Sequence, residues 1–302
     1  MLSTTQTEKN PLNVQKSQKS SPRAEAFKMF VKRLLKNKAA VVGGLIILFV
    51  ILVGVLGPFL VKTDPNAQNL INKLQPPSKE HWFGTDNFGR DIFSRIVHGT
   101  KLTLTVGFLS VIIGGVIGVI LGIVAGYYGG LVDTLTMRIM DILLAFPGIL
   151  LALAIVSVLG GSLINVIIAV GIFSVPAFAR IVRGSTLQVK KLEYIDAVRA
   201  LGASDVRIIF KHILPNILSP IIVQATMRIA TAILTASGLA YLGLGAQPPA
   251  AEWGAMLSDG RAYMHNAGHM VIFPGVMIVI VVLAFNIFGD GLRDALDPKM
   301  KQ

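Results

Sequence analysis

The feature that most constrains this chain is a series of six long apolar blocks, at about 39–61, 102–126, 139–159, 163–182, 217–242 and 271–290. Each is long enough to cross a hydrocarbon core as a helix, which takes about 20 residues. A bilayer offers no partner to backbone N–H and C=O groups, so a spanning segment is either a helix or a strand of a closed barrel. Short alternating strands of the barrel kind are absent. The expected fold class is therefore all-α, a polytopic membrane protein with six transmembrane helices. A content of 53% hydrophobic and only 15% charged residues fits this reading and no ordinary soluble domain. The first block is longer than a signal-peptide core and has no small-x-small cleavage site at its end, so it reads as a retained span.

Charge sets the orientation. The net charge of +12 comes from Lys and Arg beside apolar blocks rather than from a separate basic, aromatic-interleaved patch, which argues against nucleic acid and for cytoplasmic flanks. The polar, basic tail 1–38, whose early part reads as disordered, and the Arg180, Arg183, Lys190, Lys191, Arg199, Arg207, Lys211 cluster both belong in the cytoplasm. Six spans then place both termini inside. The expected organisation is a basic tail (1–38), a first span with an external loop (39–101), a five-span core (102–292) with a cytoplasmic loop at 185–215, and a C-terminal tail (293–302). The absence of cysteine excludes disulfides, thiolate metal sites and Cys nucleophiles.

Within the second block, Gly107, Gly114, Gly115, Gly118, Gly122 and Gly126 recur at helical spacings, a face that lets another helix approach closely. Pro147, Pro176, Pro220 and Pro274 fall inside four blocks and favour kinks there. In the cytoplasmic loop, Leu192, Ile195, Val198 and Leu201 recur every three residues, Gly202 stands where a left-handed cap would close a helix, and Ser204 can cap a second one through Val206, Ile208, Ile209 and Phe210. Pro215 marks where a new segment begins. Two short helices joined by a tight turn are expected, with apolar residues that face either the chain's own span ends or a partner. The spacing alone does not choose.

The run Asp196-Ala197-Val198, Gly202 and then His212-Ile213-Leu214-Pro215 resembles the loop signature of bacterial ATP-binding-cassette importer permeases. Asp196 and Val198 depart from that family's usual Glu-Ala-Ala, shortening the acidic arm and adding bulk. Further matches are similar to the dipeptide, oligopeptide, glutathione and nickel group, in its type with six spans and an extended first external loop. They are His81-Trp82-Phe83-Gly84-Thr85-Asp86, Gly89-Arg90-Asp91, Ser94-Arg95, Ala145-Phe146-Pro147, Leu242-Gly243-Leu244-Gly245, Glu252-Trp253-Gly254 and Asp294-Ala295-Leu296-Asp297-Pro298. The resemblance implies a type I importer permease in the bacterial plasma membrane, coupled to separate ATPases through Asp196, Ala197, Val198, Gly202, Ile213, Leu214 and Pro215. Its implied partners are a second permease subunit, two ATPase subunits that bind ATP and Mg, and an extracytoplasmic substrate-binding protein. Di- and oligopeptides are the expected substrates, with glutathione or nickel as alternatives in the same group.

No G-x-x-x-x-G-K phosphate loop, H-E-x-x-H or Ser elbow occurs, so the chain is not expected to be an enzyme, and it would bind no cofactor of its own. Arg228 lies inside the fifth block, about 18 Å along a helix from Asn216 at 1.5 Å per residue. So deep an arginine faces a protein partner or a water-filled path, which makes it a candidate for the substrate path, with Gln224 beside it and Asn165 and Asn286 behind. An internal ion pair or a snorkelling side chain is the plainer alternative. His265 and His269 would share a helix face, yet Gly268 weakens any helix there and no further ligand is evident; no metal site is expected. Asp86 with Arg90 and Asp91 with Arg95 have the spacing of helical ion pairs, read as surface stabilisation or as contacts for a binding protein. An ion-coupled secondary transporter is the rival class, but its usual midplane acids are missing: Asp133, Asp141 and Asp290 fall near span ends.

Overall fold

The computed structural model describes residues 22–296, so the early tail and residues 297–302, including Asp297 and Pro298, lie outside the described residues. Among the described residues every regular element is a helix. The later part of the basic tail forms a helix the sequence did not announce, α1 (Pro22–Lys36), separated by Asn37 from α2 (Lys38–Leu60), the first span. Asn37 is extended (φ −82°, ψ 95°) and its side chain accepts from Ala40 N, so the new helix starts with a satisfied cap.

The second span is α3 (Ile92–Tyr128), 37 residues or about 55 Å at 1.5 Å per residue. Its first ten residues escaped hydropathy because Arg95, His98 and Lys101 interrupt them. They are helical because protein, not lipid, surrounds Ile92, Ser94, Arg95, Ile96 and Val97. The third block is not one straight span: α4 (Gly130–Ala145) and α5 (Gly148–Leu159) meet at 91° across Phe146 and Pro147. Proline has no N–H to continue α4 and opens α5 instead.

The fourth span, α6 (Leu163–Lys190), runs well past the apolar block, so the start of the cytoplasmic loop is the helix's own last turn. After α7 (Glu193–Ala200), a single helical run extends from Asp205 to Tyr241: α8 (Asp205–Ile208), a π-helical turn at Ile209–Ile213, and α9 (Leu214–Tyr241). Pro215 therefore does not begin a separate segment. The widened π turn just before it lets the helix pass a residue that cannot donate. The connection before the last span carries α10 (Trp253–Gly260), and α11 (His269–Leu296) is that last span.

Packing centres on α3 against α6. A Cβ at Gly114 would meet Gly171 O at 2.5 Å, one at Gly118 would meet Val175 O at 2.7 Å, and one at Gly122 would meet Ala179 O at 2.6 Å. The two backbones thus touch along three turns, a closeness only glycine permits. By contrast α2 is mostly lipid-facing. It exposes Leu45, Leu48, Phe49, Leu52 and Phe59 while Gly43 and Gly54 sit against α11 and α3.

Gly122→Leu is expected to cost about 1–3 kcal/mol or more through overpacking against immovable backbone, read as a lower melting temperature of the detergent-purified protein. Gly115→Ala is the control, since its Cβ would rest at an ordinary 3.6 Å from the Phe178 ring.

Candidate coupling platform and translocation face

The short helix α7 ends in a left-handed turn. Gly202 has φ +80°, its N–H bonds Arg199 O at 2.9 Å, and Ala203 N–H bonds Val198 O at 3.3 Å. This pair of bonds satisfies the last carbonyls of α7. Nothing lies within 4 Å of a Cβ built on Gly202, so the demand there is for the backbone conformation and not for space.

Three-residue steps advance about 300° around a helix, so such a row turns by about 60° per step. The expected single stripe is accordingly split. Ile195 is fully buried and Val198 half-buried, packed with Ile208, Ile213 and Ile217 on Ile123, Tyr127 and Val182 of the span ends. Leu192 is exposed, and Leu201 is 87% exposed on the other side. Ile195 and Val198 thus pack on the chain's own span ends, whereas Leu192 and Leu201 are left on the surface.

Of the candidate coupling residues, Asp196, Ala197, Gly202 and Pro215 lie on the surface, Leu214 is half-buried, and Ile213 is wholly inside. Ile213 is packed inside the chain with Ile195, Ile208 and Ile217, beneath the exposed residues of the loop. Asp196 pairs with Arg199 at 3.1 Å in the open, a contact of small energetic weight. Val206 and Phe210, named in the sequence only as part of the second helix and not among the coupling residues, are each 64% exposed. Their signal was present: they stand four residues apart on a helix whose other side, Ile208 and Ile213, is buried.

A polar knot ties this platform to α3. Tyr127 Oη donates to Asp205 Oδ1 at 2.6 Å, Lys190 Nζ donates to Tyr127 O at 2.5 Å, and the Arg199 guanidinium lies beside the Tyr127 hydroxyl, which raises its pKa. Asn216 Nδ2 donates to Tyr194 Oη at 3.1 Å, joining α7 to the root of α9.

Above the platform, α6, α9 and α11 enclose a cleft of about 640 Å³ lined by Ser185, Gln188, Asn216, Gln224 and Arg293 among others. Gln224 is among the residues lining this cleft. Arg228 stands one turn further along the same face of α9, partly exposed, with no ion pair among the described residues, so the internal-pair alternative fails. Asn165 is elsewhere, donating to Leu159 O and Gly160 O at the end of α5. Asn286 is partly buried in α11 and does not line the cleft. Arg293 was not singled out because its helix outlasts the apolar block.

The outer loop differs from expectation. Asp86 and Arg90 do pair, at 2.6 Å, but they are buried in a turn before α3, with Gly89 at φ +70°. Arg90 also reaches Asp259 at 3.4 Å and is only 3% exposed, so it cannot be a docking contact for another protein. Asp91 does not pair with Arg95. It caps Ser94 N at 2.7 Å and binds His81 at 2.8 Å, while Arg95 turns to Asp86 and to Pro65 O. Burial pushes the Asp259 carboxyl up, and Arg90 and Arg95 pull it the other way. Burial likewise raises Glu252, which caps α10 at Ala255 N (2.9 Å) and accepts from Thr103. His265 precedes α11 and His269 opens it, with its Nε2–H donating to Thr85 O at 3.0 Å, so the two do not form a pair on one helix face.

Comparison with known proteins agrees with this architecture. Residues 118–302 match the family described as binding-protein-dependent transport system inner membrane component, and residues 26–77 match the N-terminal TM domain of oligopeptide transport permease C. The dipeptide transport system permease protein DppC of Alkalihalophilus pseudofirmus is 55% identical over 281 residues, covering 93% of this chain and 91% of its own. The glutathione transport system permease protein GsiD of Pectobacterium atrosepticum is 50% identical, covering 91% and 92%. Inward-facing MetNI, a methionine ABC transporter, shares the fold with a TM-score of 0.55 at 22% identity, over 68% of this chain and 98% of that one. The chain belongs to the family of binding-protein-dependent transport system inner membrane components. It is a membrane-embedded transport permease.

Tyr127→Phe removes the bond to Asp205, a charged-group hydrogen bond worth about 1.5–3 kcal/mol. Hydrogen exchange across residues 193–208 is expected to quicken while exchange in α3 and α6 stays unchanged.

Proposed function

We propose that this chain is one of two permease subunits of an ABC importer for short peptides, driven by two ATPase subunits that dock on Leu201, Val206 and Phe210. The observation that carries this reading is mechanical. Val206 and Phe210 sit on the same helical run, Asp205–Tyr241, that bears Gln224 and Arg228 at the cleft, and Leu201 stands just before it at the end of α7. Movement of the cytoplasmic end is thereby transmitted to the path without a flexible joint, which is what a switching element between two openings requires. Asp196, Ala197, Gly202 and Pro215 frame the docking face, and Ile213 and Val198 hold it up.

ATP and Mg belong to the ATPase subunits in this scheme, and an external binding protein delivers the substrate. The chain sits in a bacterial plasma membrane with both termini in the cytoplasm. Relatives named for dipeptides and for glutathione favour a ligand with free carboxylates, and an unpaired Arg228 suits one. The ion-coupled alternative is disfavoured, because Asp133 and Asp141 pair with Arg183 and Arg180 toward the cytoplasmic end of α6.

Phe210→Asp combined with Leu201→Asp is expected to abolish ATP-driven dipeptide uptake in vesicles holding the whole complex, with the permease still folded. Gly202→Val, strained by its positive φ, is expected to act in the same direction, and undiminished uptake in both would overturn the docking assignment. Arg228→Ala should slow uptake roughly tenfold, the weight of one charge-assisted contact, whereas Arg228→Lys keeps most of it. Equal rates for Ala and wild type would remove Arg228 from the path.

A further inference from the structure

The helix α1 carries a surface that transport does not explain. Lys28, Lys32 and Lys36 are four residues apart, a spacing that stacks them in one row on a helix. All three are exposed, and none has an ion pair among the described residues. Val31 and Leu35 border the row on one side and Met29 on the other, with Met29 and Leu35 more than half exposed. Glu25, near the start of the row, is the one acid of the helix against the three lysines, so the face stays positive. Phe30, Arg33 and Leu34 are less exposed, and Arg33 lies over the end of α11 near Gly291 and Ala295.

Position decides what such a face meets. The extended Asn37 turns α1 out of the axis of α2, and the lipid-facing residues of α2 begin only a turn later, at Val42 and Leu45. The helix therefore sits at headgroup level, where lysines flanked by apolar side chains place their stems along the acyl boundary and their ammonium groups in the polar layer. We propose that the outward face of α1 is a seat for anionic phospholipid headgroups, with Lys28, Lys32 and Lys36 on the phosphates and Val31, Leu35 and Met29 in the acyl boundary. A protein partner fits less well, because it would have to dock an acidic surface inside the headgroup layer.

The proposal is independent of what is transported. The intact protein, with whatever subunits co-purify, is placed in nanodiscs of phosphatidylcholine alone or mixed with phosphatidylglycerol, and hydrogen exchange is followed over 22–36. Exchange is expected to be slower in the anionic discs, with about a fivefold effect per lysine, and the difference should vanish in 1 M salt, where the screening length is about 3 Å. The triple variant Lys28→Gln, Lys32→Gln, Lys36→Gln should lose the difference, the triple Arg variant should keep it, and unchanged exchange in α2 and α11 would show both to be folded. Equal protection in the two lipids would overturn the proposal. So would protection that disappears when a co-purified subunit is stripped away.

Discussion

Everything else in this molecule depends on the contact between α3 and α6. Gly114, Gly118 and Gly122 place one helix backbone directly on the other, at Gly171, Val175 and Ala179. In a bilayer no hydrophobic force drives helices together, so close packing of this kind is what holds a bundle. The seam also fixes the end that carries the α7–α8 platform. Tyr127 at the close of α3 and Lys190 at the close of α6 meet there, and with Asp205 they form the floor on which the platform rests.

Much of this was legible in the sequence, and the failures have physical causes. Hydropathy finds where lipid surrounds a helix, so it found α2 nearly to the residue and the start of α11, but not the six residues of α11 beyond 290. It missed the first ten residues of α3 and the last eight of α6, whose surroundings are protein or water. Proline announced a disturbance at Pro147 and Pro215 but not its form. One became a right-angled break and the other a π turn within an unbroken helix.

The platform shows the same limits at the level of side chains. The Gly202 turn was readable because only a left-handed residue closes α7 in this way, and the structure has it at φ +80°. The row from Leu192 to Leu201 was misjudged as one face, since a three-residue repeat winds around a helix instead of running along it. Sequence spacing likewise suggested ion pairs at Asp86 and Asp91; Asp86 does pair with Arg90, though in a buried turn, whereas Asp91 caps Ser94 and does not pair with Arg95. Pairings across distant segments, such as Arg90 with Asp259, leave no local trace at all.

The central claim is that the cytoplasmic platform and α9 move as one lever. The chain has no cysteine, so spin labels can be placed by substituting Ala200→Cys on the platform and Ile222→Cys on α9, both surface sites. Pulsed electron resonance on the assembled complex then measures this distance with and without ATP, alongside the distance between Ile222→Cys and the partner permease. The account predicts that the distance within the chain is unchanged while the distance between subunits shifts. A platform that changes its distance from α9 when ATP binds, with the subunits fixed, would contradict it.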